Sequence, residues 1–237
     1  MELANRIFIL VFGIANFILA AQAYEIPDLE YENKAHQRCI LRPLHQLGEE
    51  DGVKSLYELF QIKEVAEYYE DGCTKDMKKC QTLYERVSPR FKDWQQDKLG
   101  WVAILDSNTQ EFLGFIGAAI LPDHKTVEIC YALNPKSQKT GTVSRGITKY
   151  FNHIFPLLKE SVQNSIEQFK LPMNPNNKNS VYIAIGMQFK TDNKTYVAAY
   201  LKNRTDIDDS KKLRIDYVAM KSDWLPYLQE RKAADSF

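Results

Sequence analysis

Between residues 52 and 69, apolar side chains recur as Val53, Leu56, Tyr57, Leu59, Phe60 and Val65, and Asp71 with Gly72 closes the stretch. That three-and-four spacing predicts one or two helices, each burying one face. Residues 76–96 repeat the pattern through Leu83, Tyr84, Val87, Phe91 and Trp94, with a joint at Ser88 and Pro89. From Trp101 the period shortens. Residues 101–105 and 112–121 are near-continuous apolar runs separated by the turn 106–110, which predicts an antiparallel hairpin. A third strand follows over Thr126–Leu133, and Ile147, Phe151 and Ile154 mark a helix beginning near residues 142–145. Cys39 to Leu44 is a shorter strand-like run carrying Pro43. Residues 157–164 read as helix, 166–171 as strand, 172–179 as loop and 180–187 as a short helix; 195–200 and 213–220 read as closing strands. Helices and a mostly antiparallel sheet in this order make an α+β domain over residues 37–225, with 226–237 as a tail.

The amino-terminal segment stands apart. Residues 7–21 are apolar except at Gly13 and Asn16, and Ala21, Gln22 and Ala23 form a small-x-small site. This is the shape of a cleaved signal peptide spanning residues 1–23. The run is shorter than the ~20 residues a spanning helix needs. The expected localisation is therefore exported, periplasmic or secreted, with a membrane-tethered form as the alternative.

Lys plus Arg and Asp plus Glu both number 31, so the formal charge is zero, and no basic excess points to nucleic acid. No CxxC pair or Cys/His cluster suggests a metal site. In an oxidising compartment, Cys73 and Cys80 could close a small disulfide loop. Cys39 and Cys130 read as buried, inert thiols.

The candidate chemistry lies where the strand Thr126–Leu133 leads through a polar turn into a helix. Backbone N–H groups at a helix start converge on one point and favour an anion there. Gly141 leaves room for a phosphate to approach, and Lys139 and Arg145 bring positive charge. EICYAL at 128–133 followed by QKTG at 138–141 resembles motif A of the GCN5-related N-acetyltransferases, whose turn reads Q/R-x-x-G-x-G/A. LRPL at 41–44 is similar to the opening strand of that family's RimJ/RimL-like branch. WVAI at 101–104 and FLGFIG at 112–117 resemble its next strands. NKNS at 177–180, then Gln188 and Phe189, resemble its N-x-x-S…G-F helix, and DYVAM at 216–220 its closing strand.

The resemblance implies a GNAT-like fold, a mixed and mostly antiparallel sheet flanked by helices, and transfer of an acetyl group from acetyl-CoA to an amine. The acceptor is a small amine or a protein amino terminus. Tyr131, Ala132 and Leu133 would align the pantetheine arm; Gln138, Lys139, Thr140, Gly141, Thr142, Val143 and Ser144 would hold the pyrophosphate. Glu128 would be the general base through water, since a carboxylate in an apolar strand has its pKa pushed towards neutrality; a half-exposed strand position facing solvent is the other reading. Ser180 would donate a proton to the thiolate and Asn177 would bind cofactor, although both residue types also suit a helix cap.

Three positions depart from the family pattern. Val143 stands where a small residue is expected and predicts a crowded pyrophosphate. Gln188 replaces a glycine. Ala184 occupies the place of the tyrosine that some members use as an acid; a register keyed on Gly186 would put Tyr182 there instead. Together they raise a rival reading, an exported GNAT-fold binding protein without catalysis. Export also sits awkwardly with a cytosolic donor, unless the protein acts as a secreted effector inside another cell, the leader is a tether, or the fold serves non-catalytic binding.

Overall fold

A computed structural model of the chain describes residues 26–69, 76–89, 97–197, 202 and 208–234. Among the described residues eight strands form one sheet: β1 Leu29–Glu32, β2 Arg38–Pro43, β3 Trp101–Asp106, β4 Phe112–Ile120, β5 Thr126–Leu133, β6 Gln168–Met173, β7 Thr195–Val197 and β8 Leu213–Met220. Their order is β1-β2-β3-β4-β5-β6-β8-β7, and every neighbouring pair is antiparallel except β5 with β6. The α-helices are α1 Glu49–Gln61, α2 Lys63–Ala66, α3 Met77–Val87, α4 Thr142–Ile154, α5 Glu160–Ser165, α6 Lys178–Gly186, α7 Asp209–Lys212 and α8 Lys221–Ala234.

The alternation of the strands sorts side chains onto two faces, and each face has its own core. On one, Phe115, Ala103 and Trp101 meet Leu56, Phe60, Leu83 and Val87 from α1 and α3. On the other, Ile116, Val127, Ile129 and Phe169 meet Ile147, Tyr150 and Phe151 from α4 and Trp224 and Leu228 from α8. The second core is rich in rings: Phe151 stands edge-on to Phe169 and to Trp224, each at 5.2 Å. The Tyr150 hydroxyl donates to the Gly100 carbonyl at 3.0 Å and accepts from the Gly100 N–H at 3.2 Å, so its polar end is satisfied inside the core.

One irregularity shapes the centre of the sheet. The β3–β4 register slips by one residue between Ile104 and Leu105, a β-bulge at Leu113. Gly114 follows it with φ 155, and a Cβ there would run into the Ala132 carbonyl oxygen of β5. Only glycine lets the two strands approach so closely.

Most elements fall where the periodicity predicts, and three differ. β1 carries only four residues, too few for a periodicity to show, yet it pairs along its length with β2. The sixth strand runs to Met173 rather than ending at Leu171, taking Pro172 into it. Proline needs a flank without a ladder partner, and β6 beyond Lys170 has one, where it leaves β5. Helix α8 crosses from 221 to 234, with Leu228 fully buried, so residues after 225 belong to the packed structure. Trp94, Cys73 and residues 198–200 lie outside the described residues. The Cys73–Cys80 pairing therefore lies outside them too, although Cys80 itself is buried.

Candidate active site

β5 and β6 run parallel for only three pairs, Thr126 with Gln168, Val127 with Phe169 and Glu128 with Lys170. Beyond that point the strands part. Ile129 to Leu133 on one side and Leu171 to Met173 on the other become walls of a cleft of about 1370 Å3. That exceeds the ~300–1,000 Å3 of common ligand pockets and suits a long ligand. Parting also withdraws each strand's ladder partner on one flank. Backbone N–H and C=O groups there face the cleft and need hydrogen bonds from whatever fills it. Glu128 is the last paired residue, so it sits at the apex of the opening, half-buried, on the same face of the sheet as Cys130 and Ala132.

The turn after β5 is built by local polar chemistry. The Asn134 side chain accepts from the Lys136 N–H at 3.1 Å and starts a short 3-10 turn over Pro135–Ser137. Lys139 and Gly141 then take positive φ, 63 and 76, and α4 begins at Thr142 with Gly141 as its N-cap. Gly141 makes no side-chain cap, so the first N–H groups of α4 have no intrahelical partner and point out of the helix end. Gln138, Lys139, Gly141, Thr142, Val143 and Ser144 all border the cleft.

Two turn residues behave differently from expectation. Thr140 does not border the cleft; its hydroxyl donates to the Ser137 carbonyl at 2.6 Å and meets Thr142 Oγ1 at 2.7 Å. The Thr142 side chain is buried and accepts from Asn33 Nδ2 at 2.9 Å. Thr142 therefore offers the cleft its backbone, not its hydroxyl. Arg145 reaches away as well, donating from Nη1 to the Glu32 carbonyl at 2.8 Å.

Helix α6 forms the opposite wall. Asn177 is its N-cap, accepting from the Ser180 N–H at 3.2 Å, so its side-chain oxygen is engaged in capping while the residue still borders the cleft. Asn179 Nδ2 donates to Gln138 Oε1 at 2.9 Å and ties the helix to the turn after β5. The Tyr131 hydroxyl donates to the Ser180 carbonyl at 3.5 Å. Burial raises the Tyr131 pKa well above its ordinary value, with the Ser180 side chain opposing, so this phenol stays protonated. Glu128, Tyr131, Ala132, Leu133, Asn177 and Ser180 thus share one cavity with the turn, although up to 52 residues separate them in sequence.

The far end is bordered by Glu64, Glu67, Tyr68 and Tyr69 near α2, by Arg86 and Val87 of α3, and by Arg214 at the start of β8. An ion pair of 3.9 Å between Lys211 and Glu67 joins the two sides.

Tertiary structure changes the meaning of the three departures. Val143 is only 3% exposed, and its side chain belongs to the apolar cluster with Ile116 and Ile147 beneath α4. It packs inward, so the expected crowding of a pyrophosphate is replaced by a core contact. Gln188 has φ 66 directly after α6, followed by the buried Phe189 against Trp224 at 4.9 Å. A glycine there would serve a left-handed helix end and no chemistry. Ala184 is fully buried in the core, so a tyrosine in that register could not reach the cleft; Tyr182, 71% exposed, borders it.

Sequence reasoning missed Asn33, Lys34 and Asn179 because their partners are 41 to 109 residues away. Asn33 and Lys34 lie in the polar stretch just before β2, and Asn179 lies inside the NKNS segment without having been singled out.

The profile of the acetyltransferase (GNAT) domain family matches residues 38–190. No curated protein matches the chain at the sequence level. Among solved structures, a GCN5-related N-acetyltransferase from Brucella melitensis superposes with a TM-score of 0.61 at 12% identity, covering 90% of this chain and 86% of that one. A ribosomal-protein-S5-alanine acetyltransferase from Vibrio fischeri gives 0.59 at 14% identity, covering 84% and 99%. A spermidine N-acetyltransferase from Vibrio cholerae, in complex with CoA and spermine, gives 0.57 at 14% identity, covering 79% and 98%.

Proposed function

Because the chain belongs to the acetyltransferase (GNAT) domain family, we propose that it transfers an acetyl group from acetyl-CoA to an amine. The observation that carries this reading is the parting of β5 from β6 at Glu128, beside a turn into α4 whose residues line the same cleft. The open flanks of β5 and β6 suit a pantetheine arm, and the amides before α4 suit its pyrophosphate. The thioester is then held near the apex, where Glu128 lies.

The chemistry requires a neutral amine. Glu128 takes a proton from the incoming amine through water, and the nitrogen attacks the thioester carbonyl. A C–N bond forms, the C–S bond breaks, and the departing thiolate takes a proton from the α6 side of the cleft. We assign the relay of that proton to the Ser180 hydroxyl, which takes one from solvent as it gives one to the sulfur; the protonated Tyr131 hydroxyl against the Ser180 carbonyl supports its position. The acceptor is an amine of the kind named for the similar structures, a protein amino terminus or a polyamine. The non-catalytic alternative has lost its grounds, since Val143, Ala184 and Gln188 all serve packing or backbone geometry.

Titration of the purified protein with acetyl-CoA by calorimetry tests the cofactor, and absence of binding would sink the proposal. Glu128→Gln is expected to spare that binding and slow transfer by about 100-fold, the lower end of general-base contributions. An unchanged rate would remove Glu128 from the role.

Export is a separate proposal, resting on the apolar run 7–21 and the small residues Ala21 and Ala23. No helix among the described residues is long and apolar enough to cross a membrane. The mature protein recovered from its native cell should begin near Tyr24, and an intact mass retaining residues 1–23 would refute cleavage.

A further inference from the structure

The turn between β1 and β2 lies before the matched domain segment, yet it is docked on the phosphate turn. Asn33 is fully buried and uses both ends of its amide. Its oxygen accepts from the N–H groups of Ala35 at 2.9 Å and Gln37 at 3.1 Å; its nitrogen donates to Gln37 Oε1 at 3.0 Å and to Thr142 Oγ1 at 2.9 Å. The next residue, Lys34, donates its own N–H to the Thr140 carbonyl at 2.7 Å. The backbone of Lys34 is thereby fixed to the backbone of the turn.

Its side chain continues across Gly141. A Cβ added at Gly141 would lie 2.9 Å from Lys34 Cγ, 3.1 Å from Cδ and 3.5 Å from Cε. Lys34 is exposed and borders the cleft together with Lys139, Gly141 and Ser144. The ammonium is one bond beyond Cε. It therefore sits at the anion-binding end, on a stem whose path the turn already defines.

We propose that Lys34 is a phosphate-binding residue of the cofactor site, supplied by the amino-terminal hairpin and clamped over Gly141. The inference rests on the cleft holding acetyl-CoA. A lysine ammonium is a compact charge with three donors, suited to phosphate oxygens approached from one side. Docking through Asn33 and the Lys34 N–H fixes the backbone beforehand, so binding need order only the end of the side chain. Gly141 then answers two demands, a positive φ and the passage of the lysine stem. Two phosphate sources share this chemistry, the pyrophosphate and the 3′-phosphate of acetyl-CoA.

Calorimetry with wild-type protein and Lys34→Met, which keeps an apolar stem and removes the charge, decides the matter. The variant should bind acetyl-CoA about fivefold more weakly, the scale of one partly screened ion pair, and its affinity should fall less steeply with added salt. Repeating both titrations with 3′-dephospho-CoA identifies the phosphate: a persisting difference assigns the pyrophosphate, a vanishing one the 3′-phosphate. Equal affinities of the two proteins for acetyl-CoA at low salt would overturn the inference and leave the enzyme reading intact. No binding by the wild-type protein would overturn both. Thermal denaturation of the variant at the wild-type temperature excludes a folding defect as the cause of any loss.

Discussion

Replacing Val143 by alanine separates two accounts of the phosphate turn. If the valine side chain crowds the pyrophosphate, as the family pattern implies, removing it should tighten acetyl-CoA binding. If the side chain is part of the core, removing it should cost stability and leave affinity alone. The structure places it in the cluster with Ile116 and Ile147 at 3% exposure. Loss of two buried methyl groups costs about 1.6 kcal/mol at about 0.8 kcal/mol per group. A void of about 40 Å3 left behind adds about 1 kcal/mol at roughly 24 cal/mol per Å3. Alanine returns about 0.5 kcal/mol through its higher helix propensity. The net expectation is a loss of about 2 kcal/mol, small against the ~5–15 kcal/mol of a typical domain, so the variant stays folded and its binding can be measured. Urea denaturation followed by tryptophan fluorescence gives the first quantity and calorimetry with acetyl-CoA the second. A stability loss below about 0.5 kcal/mol together with clearly tighter binding would put the side chain in the path of the phosphate and refute the packing argument.

Two further outcomes follow from backbone geometry and burial. Gln188→Gly should stabilise the protein by about 0.5–1 kcal/mol, because relief of a left-handed conformation, about 1–2 kcal/mol, exceeds the added entropy of glycine; chemical denaturation showing a loss instead would mean that the glutamine side chain earns its place. Burial pushes the Cys39 thiol up to about 11, with a Tyr31 hydrogen bond opposing and the Asp106 charge adding to the rise. A raised pKa holds the proton longer in the folded state, so this contribution is complete below the ordinary value of 9.0 and declines as pH rises towards 11. Alkaline denaturation over that range should weaken in Cys39→Ala relative to its own neutral-pH stability, and an unchanged slope would contradict the burial argument.

Much of the fold is legible in the sequence because strands and helices here obey their own periods. Thr126–Leu133 and Leu213–Met220 announce themselves, as does the helix carrying Ile147, Phe151 and Ile154, since each buries one face or both. The strand, the polar turn with Gly141 and the helix after it are contiguous, so local chemistry alone points to the turn we propose as the anion end of the site. Val143 lies four residues before Ile147 and eight before Phe151, so spacing alone puts it on the apolar face of α4; the family pattern set it against the pyrophosphate instead, and the packed core decides that it points inward. The same holds for Ala184 on α6 and for Gln188, whose role follows from a dihedral angle.

Long-range contacts were beyond the sequence for a related reason. β1 is four residues long, and its turn gains meaning only when Asn33 meets Thr142 across 109 positions and Lys34 crosses Gly141. No periodicity can encode a hydrogen bond between segments so far apart. The parting of β5 from β6 is a property of two strands together. What the sequence determined by itself was most of the elements and the chemistry of one turn. What tertiary structure decided was which side chains face the cleft, because burial and strand pairing, not residue type, choose between the core and the site.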